Sequence, residues 1–140
     1  MKGLCCVILF FLFLGCADKT IEERQLPLLN GYWEIQKVEF PGGDSKAYKA
    51  SNSLDFILLK GKKGFRKKVQ PRINGTYMVS ENDESFQLLK KEETYVFYYK
   101  NDLSEWQEQL VSLDSVSFTT KNEEGILYFY KRYEPISIQP

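Results

Sequence analysis

Residues 94–133, TYVFYYKNDLSEWQEQLVSLDSVSFTTKNEEGILYFYKRY, hold four apolar runs cut by polar turns. Thr94 to Tyr99 and Ile126 to Tyr133 are dense in aromatic and aliphatic residues, which favour strands because they pack well on a pleated surface. Asn101-Asp102 and Asn122 to Gly125 supply residues that turn the chain. With Glu108 to Leu113 and Ser115 to Thr120, the stretch reads as consecutive strands joined by short turns. Such connections give antiparallel neighbours, and no segment offers the helical crossover that a parallel sheet requires. One part stays open. Ser104-Glu105-Trp106-Gln107 has the form of a capping box, and Leu103, Trp106, Leu110 and Leu113 recur at helical spacing. Residues 104–112 therefore read equally as a short helix or as a strand beginning at Trp106.

Towards the N-terminus the pattern continues through Tyr32 to Phe40, Ser53 to Leu59, Phe65 to Gln70, Gly75 to Val79 and Ser85 to Leu89. The separators again carry turn chemistry: Pro41-Gly42-Gly43, Lys60 to Gly64, Pro71 to Asn74 and Glu81 to Glu84. The expected class is all-β. A meander of this kind must hide its edges, and closing into a small barrel of about eight strands removes both at once.

Ahead of this body, residues 1–16 read MKGLCCVILFFLFLGC. The apolar run from Leu4 to Leu14 would span only about 16 Å as a helix, short of a bilayer core, so it has the form of a signal peptide. Its end, Phe13-Leu14-Gly15-Cys16, resembles the lipobox of bacterial lipoproteins. That resemblance implies cleavage before Cys16 and fatty acylation (palmitate or its like) on Cys16, with attachment to a membrane. Polar residues 17–27 read as a tether, partly helical over Thr20 to Leu26 and closed by Pro27. Asp18, Glu22 and Glu23 look like the surface-export signals of Bacteroidetes lipoproteins. The expected organisation is a signal peptide at 1–15, a lipidated Cys and tether at 16–27, a barrel domain at 28–134 and a tail at 135–140. The expected location is the cell envelope, with the outer membrane favoured and its face left open.

Leu29-Asn30-Gly31-Tyr32-Trp33 opens the first strand and resembles the Gly-x-Trp motif of lipocalins. Tyr128-Phe129-Tyr130-Lys131-Arg132 resembles the closing strand that carries an Arg to that Trp. The likeness spans roughly residues 28 to 134 and is nearest to the small lipocalin-like lipoproteins of the Bacteroidetes. It implies closure by Gly31, Trp33 and Arg132, and a possible pocket for a small apolar or amphipathic ligand. The strand phases expected from the sequence direct Phe56, Tyr77, Phe97, Tyr99, Tyr128 and Tyr130 towards that pocket. So many large side chains should leave at most a shallow opening. The competing reading is an envelope interaction module whose barrel is filled by its own side chains.

Composition narrows the alternatives. Nineteen basic residues balance nineteen acidic ones, so no global field favours nucleic acid. There is no His, which removes the usual general base and imidazole metal sites. Cys5, Cys6 and Cys16 all lie in the leader region, so the barrel has no thiolate metal set, and no cofactor is expected. The neighbouring pairs Glu92-Glu93 and Glu123-Glu124 would point to opposite faces of a strand. No phosphate cradle or nucleophile elbow appears, and enzymatic activity is not expected. Lys60, Lys62, Lys63, Arg66, Lys67 and Lys68 form a basic run that either contacts an anionic surface or serves as a solvated hairpin tip. Asn74-Gly75-Thr76 has the form of a glycosylation acceptor or a turn, and Asp114-Ser115-Val116 that of an O-glycan acceptor or a turn.

Overall fold

The computed structural model describes residues 19–49, 51–80 and 83–135. The leader and Cys16 lie outside the described residues. Ten strands follow a short 3-10 segment, Glu23–Leu29: β1 (Gly31–Glu39), β2 (Ser45–Ala47), β3 (Leu54–Lys60), β4 (Lys63–Pro71), β5 (Tyr77–Val79), β6 (Glu84–Lys91), β7 (Thr94–Lys100), β8 (Glu105–Leu113), β9 (Ser117–Asn122) and β10 (Leu127–Arg132).

Eight of them form an antiparallel barrel in the order β10-β9-β8-β7-β6-β4-β3-β1, closed by pairing of β10 with β1. Closure runs from Trp33 opposite Arg132 to Glu39 opposite Leu127. The two short strands stand beside this circuit. β2 pairs with the end of β1, and β5 with the end of β4. The ninth strand expected from the sequence, Gly75 to Val79, is thus a three-residue appendage rather than a wall of the barrel, while β2 was not anticipated. It is short and exposed throughout, so it carries no apolar alternation to read.

The helical alternative over residues 104–112 gives way to β8. Its apparent helical spacing has a cause: Leu110 and Ser112 pair with successive residues of β9, so Val111 is an extra residue in a bulge. The bulge returns Leu113 to the inner face three residues after Leu110, and both are buried. Leu103, by contrast, sits in the turn and is 95 % exposed. A matching irregularity between Ile35 and Lys37 in β1 brings Val38 to face Tyr128.

The segment read as a tether belongs to the core. Ile21, Leu26 and Leu29 are buried and join Trp33, Leu59, Leu110, Leu113 and Phe118 in one apolar cluster. Pro27 lies within the 3-10 turn rather than ending it. The apolar positions 21, 26 and 29 are spaced too irregularly to announce an amphipathic helix, and only the end of the barrel beside Trp33 and Phe118, which they plug, gives them something to cover. The packed unit therefore starts near Ile21, not at Leu28.

The turns follow from side chains that mimic backbone. Asn101, Asp114 and Asn122 each accept two backbone N–H groups from residues two to four positions on. Asn74 accepts the backbone N–H and the hydroxyl of Thr76. Both glycan-like tripeptides, at Asn74 and Asp114, are therefore turn-forming sequences in this fold.

Candidate functional site in the barrel lumen

Strand order and register put the β3–β4, β6–β7 and β8–β9 turns at one end of the barrel, with the 3-10 segment across it. Arg132 fastens this closed end. Its Nη1 donates to the Asn30 carbonyl at 2.9 Å, its Nη2 to the Leu28 carbonyl, and its Nε to the Ser115 carbonyl at 2.7 Å. The guanidinium carbon lies 4.1 Å from the Trp33 ring centroid, and the indole N–H donates to the Leu29 carbonyl at 2.8 Å. Gly31 makes room for this. Its φ is +124°, and a Cβ there would stand 2.8 Å from Arg132 Nη1. The expected closure by Gly31, Trp33 and Arg132 is thus a single contact set.

Above it, aromatic and aliphatic side chains close the lumen. Phe97, Phe118, Ile57, Leu88 and Leu110 have essentially no solvent contact. Phe118 meets Trp33 edge-on at 4.7 Å and stacks on Tyr130 at 4.6 Å.

Higher still lies an ionic cluster that the sequence reading did not foresee. Arg66 Nη2 donates to Asp55 Oδ2 at 3.2 Å, Lys68 Nζ lies 2.7 Å from Asp55 Oδ1, and Glu108 Oε2 is 3.6 Å from Arg66 Nη1. The guanidinium also donates to Tyr99 Oη at 3.4 Å and lies 4.9 Å from the Tyr130 ring centroid. Arg66 and Asp55 are buried. Burial by itself would raise the Asp55 carboxyl, but Arg66 and Lys68 beside it outweigh that and hold it below the usual aspartate range. Burial pushes the Tyr130 phenol up to about 12 and Tyr99 higher still, against the opposing pull of Arg66. Both phenols therefore keep their protons near neutral pH.

Two buried oxygens have no hydrogen-bond partner in this region: Glu108 Oε2, which has only its ion pair to Arg66, and Thr120 Oγ1. Register puts them diagonally across β8 and β9, where Glu108 faces Asn122 and Leu110 faces Thr120. Trp106, stacked on Tyr99 at 5.1 Å, joins half-buried Tyr128 and Ile35 towards the mouth.

The expected site residues divide accordingly. Phe97, Tyr99, Tyr128 and Tyr130 do face the lumen. Phe56 and Tyr77 do not: Tyr32 contacts both on the outer face, at 4.8 and 4.4 Å, with Phe65 beyond Phe56. The expected phase of β3 was off by one residue: the inward row is Asp55, Ile57 and Leu59, while Leu54 is buried in the phase of Phe56, and a charged Asp heading an inward row disguises it. The basic run is likewise not one patch. Lys60, Lys62 and Lys63 sit at the β3–β4 tip, Arg66 and Lys68 turn to the buried cluster, and Lys67 lies over Phe65 at 5.0 Å outside. Alternation held a signal for the cluster: Arg66 is in phase with Gly64, and Glu108 with Trp106 and Leu110.

Surface hollows include one of about 330 Å³ beside Ile73 and Tyr77 and one of about 630 Å³ beside Glu34, Val116 and Tyr133. Neither is lined by Arg66, Asp55, Glu108 or Tyr99.

The barrel is a closed, eight-stranded antiparallel meander. No family model and no curated protein matches the chain. Among solved structures it is similar to a lipocalin-like protein from Bacteroides uniformis, with TM-score 0.48 and 11% identity over 76% of this chain and 99% of that one. A protein from Bacteroides eggerthii gives TM-score 0.48 and 12% identity over 75% and 99%. Lobster apocrustacyanin A1 gives 0.44 and 12% over 83% and 68%. Likeness at this level transfers neither ligand nor activity.

Proposed function

We propose that the protein is a lipid-anchored envelope protein whose lipocalin-like barrel holds the polar end of a small amphipathic ligand at its mouth. The observation that carries this reading is the pair of buried oxygens without a hydrogen-bond partner, Glu108 Oε2, which has only its ion pair to Arg66, and Thr120 Oγ1. A buried acceptor or hydroxyl left without a partner costs about 1–3 kcal/mol, which a ligand donor would recover. The charges of the cluster already balance, Arg66 and Lys68 against Asp55 and Glu108, leaving neither a spare cation for a carboxylate nor a spare anion for an ammonium. The ligand class is accordingly a neutral hydrogen-bond donor, an alcohol, with its apolar part against Trp106, Tyr128 and Ile35. The closed lumen below excludes a long acyl chain.

Hexanol and hexanoate distinguish this role, with Trp106 fluorescence as the readout on the membrane-held protein. Hexanol should give a saturable change and bind at least about tenfold more tightly than hexanoate, the factor that corresponds to 1.4 kcal/mol. Glu108→Gln should erase the preference. Equal binding of both probes, or none of either, would remove the ligand reading. The anchor is tested separately: Cys16→Ser should abolish fatty-acid labelling, and continued acylation of that variant would sink the lipobox assignment.

A second reading, an envelope interaction module with a filled barrel, is favoured by apolar side chains held in water on turns at the mouth end. Ile73 is 99 % exposed, Leu103 95 % and Phe40 43 %. On this reading the probes do not bind, and Ile73→Ser with Leu103→Ser weakens crosslinking to a neighbouring envelope protein.

A further inference from the structure

The described chain begins at Lys19, and Ile21 is already packed into the closed end of the barrel. If Cys16 carries the lipid, only five residue steps separate the acyl chains from that docked side chain. Fully extended, five residues reach at most about 18 Å. The anchor is therefore short, and it emerges from one defined end.

That end has its own chemistry. Glu23 of the 3-10 segment lies 3.7 Å from Lys62, so the N-terminal segment and the β3–β4 tip are neighbours. Lys60, Lys62 and Lys63 surround Gly61 there, all exposed. Val116, 62 % exposed, projects from the β8–β9 turn at the same end, and Lys19 lies close enough to Asp114 to lower that carboxyl, whose shift comes first from the Val116 backbone N–H. The β6–β7 turn contributes the acidic pair Glu92-Glu93, which confines the attractive patch to the β3–β4 tip.

The opposite end is remote. A nine-residue strand such as β8 rises about 30 Å, and even with the usual tilt of 35–45° the mouth stands about 20 Å or more from the closed end. Gly125 and Pro41, from the β9–β10 and β1–β2 turns, meet there.

We infer that the closed end of the barrel lies against the membrane, with Lys60, Lys62 and Lys63 among anionic lipid headgroups, and that the mouth opens away from the membrane. This rests on the anchored reading above. Its consequence is that a ligand reaches Trp106 and Glu108 from the aqueous compartment rather than laterally from the bilayer in which the anchor sits.

Lysine footprinting tests it without altering any residue. The full chain, processed in a lipoprotein-exporting bacterium, is reconstituted in vesicles of phosphatidylethanolamine and phosphatidylglycerol and treated with a membrane-impermeant acetylating ester. The same protein in neutral detergent is the reference. Labelling of Lys60, Lys62 and Lys63 should fall about fivefold on the vesicles, the factor matching about 1 kcal/mol per lysine at an anionic surface. Labelling of Lys46 and Lys49, at the mouth end, should not change. Intact mass of the same sample reads acylation: an unmodified Cys16 overturns the anchor and the orientation together. Acylated protein in which the mouth-end lysines are protected, or in which neither set is, overturns the orientation alone.

Discussion

Arg132 and Trp33 are opposite one another across the β10–β1 seam, the guanidinium carbon 4.1 Å from the indole ring centroid. The pair does two things in one place. It closes the barrel and, through the Leu28, Asn30 and Ser115 carbonyls, ties the incoming N-terminal segment to the β8–β9 turn. Trp33→Ala should cost about 3–5 kcal/mol, since the indole is fully buried. Arg132→Met should cost about 2–4 kcal/mol, mostly through the carbonyls it leaves unpaired. A double-mutant cycle read by chemical denaturation should give coupling of about 0.5–2 kcal/mol. Strict additivity would mean that the cation–π contact contributes nothing.

Gly31 is tied to the same contact. At φ +124° an L side chain is strained, and a Cβ would meet Arg132 Nη1 at 2.8 Å. Gly31→Ala should destabilise by about 1–3 kcal/mol from the backbone alone. In an Arg132→Met background, where no guanidinium is displaced, the cost should shrink. An unchanged cost in that background would assign the whole effect to φ.

Asp55 gives the barrel an acid-sensitive term. Burial opposes its charge, but Arg66 and Lys68 prevail and its folded pKa lies below 3.8. The carboxylate therefore stabilises the fold fully above the unfolded value, and that contribution is lost as pH falls through the lower folded value. Asp55→Asn should cost about 3–5 kcal/mol near neutral pH because Arg66 loses a buried partner. The gap to the unsubstituted protein should narrow below about pH 3.8. Denaturant melts at neutral pH and at about pH 2 check this, and a gap of constant size would rule out the titration of Asp55 as the cause.

Leu26 distinguishes a plug from a tether. It is 2 % exposed within the 3-10 segment, so Leu26→Ala should cost about 2–5 kcal/mol. A free tether would tolerate the change with no shift in the unfolding midpoint.

How much of this was written in the sequence depends on the range of the interaction that decides each feature. Strand existence was local: aromatic and branched runs such as Thr94 to Tyr99, cut by Asn and Gly turns, pointed to an antiparallel meander before any contact was known. The closing residues Gly31, Trp33 and Arg132 were marked by motif and position. The phase of a strand was harder to read. In β8 a bulge at Val111 imitated helical spacing, and in β3 the inward row begins with a charge, Asp55, so the apolar rule selected Phe56 on the wrong face. The function of the basic run was divided by a register that no local pattern encodes: Lys60, Lys62 and Lys63 stay on a turn, while Arg66 and Lys68 reach Asp55 from the adjacent strand. Burying Arg66 is tolerable only because Asp55, Glu108, Tyr99 and Tyr130 arrive from four other strands. The sequence by itself determined that the chain must fold as a closed β-meander, because each turn and strand signal acts within a few residues. Only the tertiary structure decided that the N-terminal segment plugs one end and that an ion cluster fills the lumen below the mouth, because both depend on desolvation by residues distant along the chain.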